Sequence, residues 1–139
     1  MGTRYFDLNK SLRKALNAVT VTANSMTLPK YYQGQTVEAT GPYLFAWLLT
    51  NEPDGAEIGD ALTERVTGIY QIDIFTPAAP DWASQDLLIA DQLSTAFYRG
   101  RSIDDCIRIE RVTKGRTATD GGYWKTTIDV TFYTYSPAG

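Results

Sequence analysis

Histidine is absent from the 139-residue sequence, and cysteine occurs once, at Cys106. Without histidine the chain cannot form a Ser-His-Asp or Cys-His nucleophile, an imidazole metal ligand or a histidine pH switch. One cysteine excludes an internal disulfide and a zinc site built from several thiolates. Cys106 lies within a predicted strand with no histidine to activate it, so we expect a packed thiol rather than a reactive one.

Long apolar runs are also missing. The longest uncharged stretches, 15–29 and 39–51, are shorter than the ~18 apolar residues that a membrane-spanning helix needs. We therefore expect no membrane partner. The formal net charge of −3, from 13 Lys and Arg against 16 Asp and Glu, argues against a dedicated nucleic-acid-binding domain. Length and composition suit a single domain over 1–139.

The common catalytic motifs are absent, since the sequence contains no glycine-rich phosphate loop, GxSxG, CxxC or HExxH. Asp73 and Asp129, on the polar faces of two predicted strands, are the best acid–base candidates. Such a pair needs burial, or its partner, to raise the pKa of one carboxyl. We favour the alternative, in which Gln71, Lys125 and Thr127 satisfy these carboxylates structurally.

Asp104, Asp105 and Glu110 form a weaker candidate for a divalent-metal site. Adjacent residues of a strand point to opposite faces, so these carboxylates cannot converge on one ion without a bulge. We therefore expect no enzymatic activity, no cofactor and no metal.

Two helices are predicted from apolar residues that recur at three- and four-residue steps. Their stripes are Tyr5, Leu8, Leu12, Ala15, Leu16 and Val19, and then Ala83, Leu87, Ala90, Leu93 and Phe97. Asp81 is positioned to cap the second helix, and Gly100 to end it.

Four strands are predicted from alternation. Tyr43–Thr50 is apolar on both faces, which indicates a strand covered on both sides, by a helix or by another subunit. The other three predicted strands are residues 65–76, a strand containing Ile103, Ile107 and Ile109, and residues 123–135. We expect 113–122 to be a long hairpin loop. The result is an α+β fold in the order α-β-β-α-β-β, with a mostly antiparallel sheet and two main helices packed on one face.

Charge is distributed unevenly along the chain. Residues 51–64 contain five acidic and no basic residues, for a net charge of −5, and residues 108–116 contain four basic residues and one acidic, for +3. The residues concerned are Glu52, Asp54, Glu57, Asp60 and Glu64 in the acidic segment, and Arg108, Arg111, Lys114 and Arg116 in the basic one.

Opposite charge blocks of this kind suit head-to-tail pairing between copies of one chain. The alternatives are two solvated loops, or a small nucleic-acid-binding module that uses the basic hairpin 108–116.

In its order of elements and in several diffuse features, nearly the whole chain resembles the tail terminator (minor tail, or tail completion) proteins of long-tailed bacteriophages. The segments that carry the resemblance are Leu8–Leu16, Tyr43–Leu49 with the acidic loop after it, Arg65–Phe75, Ala90–Leu93 with Phe97–Gly100, Ile107–Glu110 and Trp124–Tyr135.

The resemblance implies a structural protein that forms a ring, sixfold in this family, at the head-proximal end of the tail. Such a ring caps the growing tail tube and offers a docking face to the head. The implied partners are further copies of the chain, the tail tube protein and a head-completion or neck protein. The implied location is the virion, with assembly in the host cytoplasm. The alternative is a head–tail connector, or neck component, which would also form a ring.

Overall fold

Two α-helices and eight strands form the part of the chain that the computed structural model describes, residues 4–50 and 63–137. In chain order they are α1 (Arg4–Asn17), β1 (Thr22–Ala23), β2 (Met26–Thr27), β3 (Lys30–Tyr32), β4 (Tyr43–Thr50), β5 (Thr63–Pro77), α2 (Gln85–Ala96), β6 (Ser102–Ile103), β7 (Ile107–Asp120) and β8 (Tyr123–Pro137).

The main sheet has six strands in the order β3-β4-β5-β8-β7-β6, and β1 pairs with β2 in a separate hairpin. Among these pairs β3 and β4 run parallel, and the other neighbours run antiparallel. The predicted α+β class and mostly antiparallel sheet are thus confirmed. The predicted order of elements lacks four short strands, β1, β2, β3 and β6.

Helix α1 follows its apolar stripe closely. Leu8, Leu12 and Leu16 are buried, whereas Lys10 and Lys14 are exposed. Helix α2 begins later than predicted.

Asp81 lies in a 3-10 turn, Pro80–Trp82, and the residue that precedes α2 is Ser84, with φ 65. Asp81 therefore does not cap the helix. Helix α2 ends at Ala96, with Phe97 at φ −105 as its C-cap. Gly100, at φ 88, lies in the turn that follows, so the prediction that it ends the helix is wrong.

The predicted strand around Ile107 is interrupted by a turn. Asp104 and Asp105 both have positive φ, 52 and 58, and they separate β6 from β7. The turn leaves Cys106 exposed, so the expectation of a packed thiol is wrong. Partial burial, with Asp104 and Asp105 beside it, raises the pKa of the Cys106 thiol and keeps it protonated at neutral pH.

The predicted loop 113–122 is also wrong, because β7 continues to Asp120 and pairs with β8 up to Tyr123. The turn itself consists of Gly121 and Gly122. Gly121 has φ 55, as the first position of a two-residue hairpin turn often requires. The basic segment 108–116 therefore lies within a strand.

Side chains from α1, α2 and the sheet form one hydrophobic cluster. The sheet contributes alternate residues of its central strands, namely Leu44, Ala46, Val66, Tyr70, Ile72, Ile74, Ile128, Val130 and Phe132. Gly68 shares this side of the sheet, and a Cβ there would lie 2.8 Å from the Leu49 carbonyl oxygen and 2.8 Å from Phe132 Cζ. Close packing at this point therefore requires glycine.

Candidate interface on the outer sheet face

The residues that alternate with the core define the other side of the sheet, which we call the outer face. It comprises Tyr43, Phe45, Trp47 and Leu49 of β4, Ile69, Gln71, Asp73 and Phe75 of β5, and Tyr123, Lys125, Thr127, Asp129, Thr131 and Tyr133 of β8. Leu49 is 48% exposed, whereas most of the other members are half-buried. The face is thus aromatic and threonine-rich, unlike the charged surface of a fully solvated sheet.

An aromatic cluster occupies one end of the outer face. The Tyr43 ring stacks on Phe75 at a centroid distance of 4.5 Å and meets Tyr123 edge-on at 5.4 Å. Tyr31 of β3 adds an edge contact to Tyr43 at 5.7 Å. The Tyr123 hydroxyl donates to the Gly41 carbonyl oxygen at 3.1 Å. These contacts hold the rings in place, so the cluster is a preformed surface.

Asp73 lies at the centre of the face and is only 2% exposed. Its Oδ1 accepts hydrogen bonds from Thr127 Oγ1 at 2.9 Å and from Gln71 Nε2 at 3.2 Å. Its Oδ2 accepts from Trp47 Nε1 at 3.1 Å and lies 3.8 Å from Lys125 Nζ. For Asp73, the structural interpretation through Gln71, Lys125 and Thr127 is confirmed.

Asp129 is in a different situation, although it lies on the same face, opposite Gln71 in the register. Its Oδ1 is buried and has no hydrogen-bond partner among the described residues. Burial, and then the charge of Asp73, raise the pKa of the Asp129 carboxyl. The two aspartates are therefore close enough to interact, but Asp129 Oδ1, unlike the oxygens of Asp73, has no hydrogen bond from the described residues.

Bulges in β7 distribute its basic residues between the two sides of the sheet. The pairing of β7 with β8 shifts register between Ile109 and Arg111, and again between Lys114 and Thr117. Arg108 and Arg111 are three residues apart, so a regular strand would point them to opposite faces. The first shift places both opposite outer-face residues, Tyr133 and Thr131.

Lys114 instead pairs with Ile128 of the core side, and Arg116 lies within the second bulge. All four basic residues are exposed. The predicted acidic partners Glu52, Asp54, Glu57 and Asp60 lie outside the described residues.

The weaker candidates do not form a site in the described part of the chain. Asp104 and Asp105 belong to the β6–β7 turn, and no three acidic or cysteine side chains within 4–50 and 63–137 are grouped to hold a metal ion. None of the helices in these ranges combines the length and apolarity of a membrane span.

Comparison with known proteins decides the family. The sequence profile described as "Phage tail terminator protein" matches residues 4–132. The chain belongs to the phage tail terminator family. This confirms the resemblance seen in the sequence, and it implies a structural role in the phage tail, contact with other tail and head components, and a location in the virion.

A solved structure supports the fold independently. It matches this tail terminator with a TM-score of 0.68 over 97% of each chain, at 17% sequence identity. At that identity the match concerns the fold alone. A search of curated proteins finds no match.

The aromatic part of the candidate interface could not be located from the sequence alone. Trp47 and Tyr43 face Gln71 and Phe75 only because β4 pairs with β5 in one particular register. The signal present in the sequence was the apolar character of both faces of residues 43–50, which indicated a second covering surface without identifying it.

Proposed function

We propose that the chain is a single structural domain that forms a ring, sixfold as in the resembling family, at the head-proximal end of the tail. The ring caps the tail tube, stops its growth and provides the docking surface for the head. It assembles in the host cytoplasm and remains in the virion. The observation that supports self-association best is the preformed aromatic outer face.

Apolar contacts supply most of the affinity in this proposal. An exposed charge pair contributes only ~0.2–1 kcal/mol, whereas buried aromatic side chains dominate interface energies. The charges of Arg108, Arg111, Lys114 and Arg116, and of Glu52, Asp54, Glu57 and Asp60, then select the partner and its register. We place these residues at subunit boundaries or on the rim that faces the tube.

Negative-stain imaging of the purified protein, alone and with isolated tail tubes, tests the proposal. We expect rings, or caps at tube ends, with an open centre. A head–tail connector would form rings that bind heads but leave tube ends bare. Tubes that keep growing in the presence of excess protein would contradict the capping role.

Charge reversal tests the basic residues. Arg111→Glu, Lys114→Glu and Arg116→Glu in one chain should impair assembly or capping while the monomer stays folded, because all three side chains are exposed. The single change Arg116→Glu can be compared with Arg99→Glu, an exposed arginine outside the segment. Equal capping by the triple variant and the wild type at physiological salt would contradict this role.

The nucleic-acid alternative makes a separate prediction about the same residues. A DNA filter-binding assay across a salt series would then give tight binding that weakens steeply with salt. Binding that is weak at all salt concentrations is expected from the tail terminator proposal.

A further inference from the structure

At one end of the six-stranded sheet, the short strand β6 covers only the beginning of β7. The last backbone hydrogen bonds on that side join Ile109 to Gly100 and Arg101. From Arg111 to its end at Asp120, β7 has no neighbouring strand on that side among the described residues. A strand edge of this kind presents unpaired N–H and C=O groups, which another strand can bind.

The other end of the sheet has a similar free stretch. β3 pairs with β4 from Leu44 to Ala46, and the Gln33 N–H donates to the Ala46 carbonyl oxygen at 3.2 Å. The rest of β4, Trp47–Thr50, has no neighbour on that side within residues 4–50 and 63–137. One sheet therefore carries two different free edges, each next to a short covering strand.

The two free stretches lie at the same level of the sheet. Rows of paired residues cross β4, β5, β8 and β7, and two of these rows begin and end in the free stretches, namely Leu49, Ile69, Thr131 and Arg111, and Trp47, Gln71, Asp129 and Thr113. A closed ring repeats its chain by rotation, without translation along the axis. Where the strands run along that axis, edges at the same level can join directly.

Strand direction and the covering strands also suit such a join. β4 and β7 run in opposite directions, because each strand from β4 to β7 across the sheet is antiparallel to the next. A second copy's β4 can enter beside β7 once β6 has ended at the level of Ile109. β7 must then turn away at Lys114, which shares a row with Ala46, because β3 covers β4 there. The second bulge, between Lys114 and Thr117, bends β7 at this level.

Side chains of the two stretches match on both sides of the sheet. Leu48 and Val112 share a row on the core side, and both are partly buried against the hydrophobic cluster. Leu49, one of the largely exposed apolar residues, shares a row with Arg111 on the outer face. A join in these rows would extend the core through Leu48 and Val112 and cover Leu49 with the aliphatic stem of Arg111.

Pairing of β7 with β7 of a second copy is less favourable. An antiparallel pairing of the whole free edge, 111–120, with itself is centred between 115 and 116, so Lys114 and Arg116 of both copies meet there. Like charges across neighbouring strands are destabilising. The same edge is also used on both copies, so association stops at the dimer.

Charge favours the β4 edge as the partner of β7. The sequence that follows Thr50 is acidic, with Glu52 and Asp54. Arg108 and Arg111, on either side of the level at which β6 ends, are exposed. The end of β4 and the basic part of β7 are therefore complementary in charge.

We propose that β7 at Arg111–Thr113 pairs antiparallel with β4 at Trp47–Leu49 of a second copy of this chain, so that neighbouring sheets join edge to edge. The inference rests on the proposed function, because it identifies the two edges through which copies meet in the ring. The two edges differ, so the contact runs head to tail and can close as a ring. The outer face then continues from one copy to the next.

Disulfide trapping in the full-length protein tests the join directly. On a Cys106→Ser background, Leu49→Cys is combined with Arg111→Cys in one variant, and Leu48→Cys with Val112→Cys in another. Adjacent rows of an antiparallel pair alternate between a closer and a wider spacing, so one of the two variants has the closer pair. Within one chain the two strands are three strand spacings apart, ~14 Å, which is beyond the reach of a disulfide.

Mild oxidation, with and without tail tubes, should give a ladder of linked chains beyond the dimer for at least one of the two variants. A variant with a single cysteine can link two chains at most. The control pair is Leu49→Cys with Thr119→Cys, an exposed residue farther along β7, and it should give no ladder. Circular dichroism checks that each variant is folded.

Hydrogen exchange of the wild type provides an independent measurement without substitution. Amides of 47–50 and 111–114 that gain a strand partner should exchange at least about tenfold more slowly in the assembled protein than in the dilute, unassembled protein. Residues 117–120, beyond the second bulge, should exchange equally in both.

The outcomes separate this inference from the proposed function. Absence of the ladder, or of protection at 47–50, would overturn the edge contact, and tubes that are still capped would leave the capping role in place. A ladder with protection but without caps would support the contact and contradict the capping role. Linked chains that stop at the dimer, or protection of 117–120 equal to that of 111–114, would overturn the head-to-tail join in favour of β7 with β7.

Discussion

Two aspartates on one sheet face should respond differently to the same substitution, with a loss of stability at one position and none at the other. Asp73 accepts three hydrogen bonds, from Trp47, Gln71 and Thr127, and lies near Lys125. Asp129 Oδ1 accepts none from the described residues. Asp73→Ala and Asp129→Ala are therefore a matched pair, with the same side chain removed from neighbouring strands.

The expected loss for Asp73→Ala follows from its partners. A hydrogen bond to a charged group contributes about 1.5–3 kcal/mol, but the three donors are half-buried and regain some contact with water. We expect the free energy of unfolding to fall by about 2–4 kcal/mol. For a domain of this size that corresponds to a melting temperature lower by about 6–12 °C.

Asp129→Ala should leave the free energy of unfolding unchanged within about 0.5 kcal/mol, or raise it, because the substitution removes a half-buried carboxylate whose buried Oδ1 has no partner among the described residues. Urea denaturation at neutral pH measures both variants against the wild type. Equal losses at the two positions, or a larger loss at Asp129, would refute the assignment of a satisfied and an unsatisfied carboxylate.

The Asp129 effect should also depend on pH, with a sign fixed by its pKa. Burial and Asp73 raise the pKa of this carboxyl in the folded protein above 3.8. The folded state then binds a proton more tightly than the unfolded state, so this group lowers stability as pH rises through the folded-state pKa. The stability of Asp129→Ala relative to the wild type should be highest at neutral pH and decrease as pH falls toward 3.8. A constant difference would contradict this explanation.

Two further substitutions test the packing of the core side. Gly68→Ala should lower the free energy of unfolding by about 1–3 kcal/mol because the new methyl group meets a backbone oxygen and an aromatic ring at 2.8 Å. The control is Gly122→Ala, which should change the free energy of unfolding little because no heavy atom lies within 4 Å of the new Cβ. Asp86→Ala should lower the free energy of unfolding by about 1–2 kcal/mol, since Asp86 Oδ2 accepts hydrogen bonds from two threonine hydroxyls at 3.0 and 3.1 Å. Asp91→Ala, on the exposed side of α2, is its control. Urea denaturation measures both pairs of variants, and equal effects within a pair would contradict the packing described.

Strand alternation explains why part of the site could be predicted from the sequence. Gln71 and Asp73 share one face of a strand because they are two residues apart, and Lys125, Thr127 and Asp129 do so for the same reason. Which of them meet depends on the register of β5 against β8, which places Asp73 opposite Thr127 and Phe75 opposite Lys125. Local spacing therefore predicts the face that carries the partners of Asp73, whereas the registers of β4 and β8 determine which side chains those partners are.

Bulges and turns could not be predicted in the same way. Residues 113–120 are exposed on both sides of β7, so no burial imposes alternation, and the polar, glycine-containing segment resembles a loop. Two consecutive aspartates with positive φ, Asp104 and Asp105, end a strand that the spacing of the isoleucines made look continuous. The position of Arg111 depends on a register shift that local sequence does not specify.

The outer face combines two kinds of group that differ in what they can select. The side chains of Tyr43, Phe75 and Tyr123 are held by contacts within the chain, so a partner that covers them gains buried apolar area without first ordering them. Stacking of this kind accepts many partners. Arg108 and Arg111 are exposed on the same side of the sheet, and exposed charges favour a partner of opposite sign over an apolar surface of similar shape. In the proposed ring, affinity from the aromatic side chains and selectivity from the arginines are therefore separate properties of one face, and Arg111→Glu should impair assembly while the monomer stays as stable as the wild type.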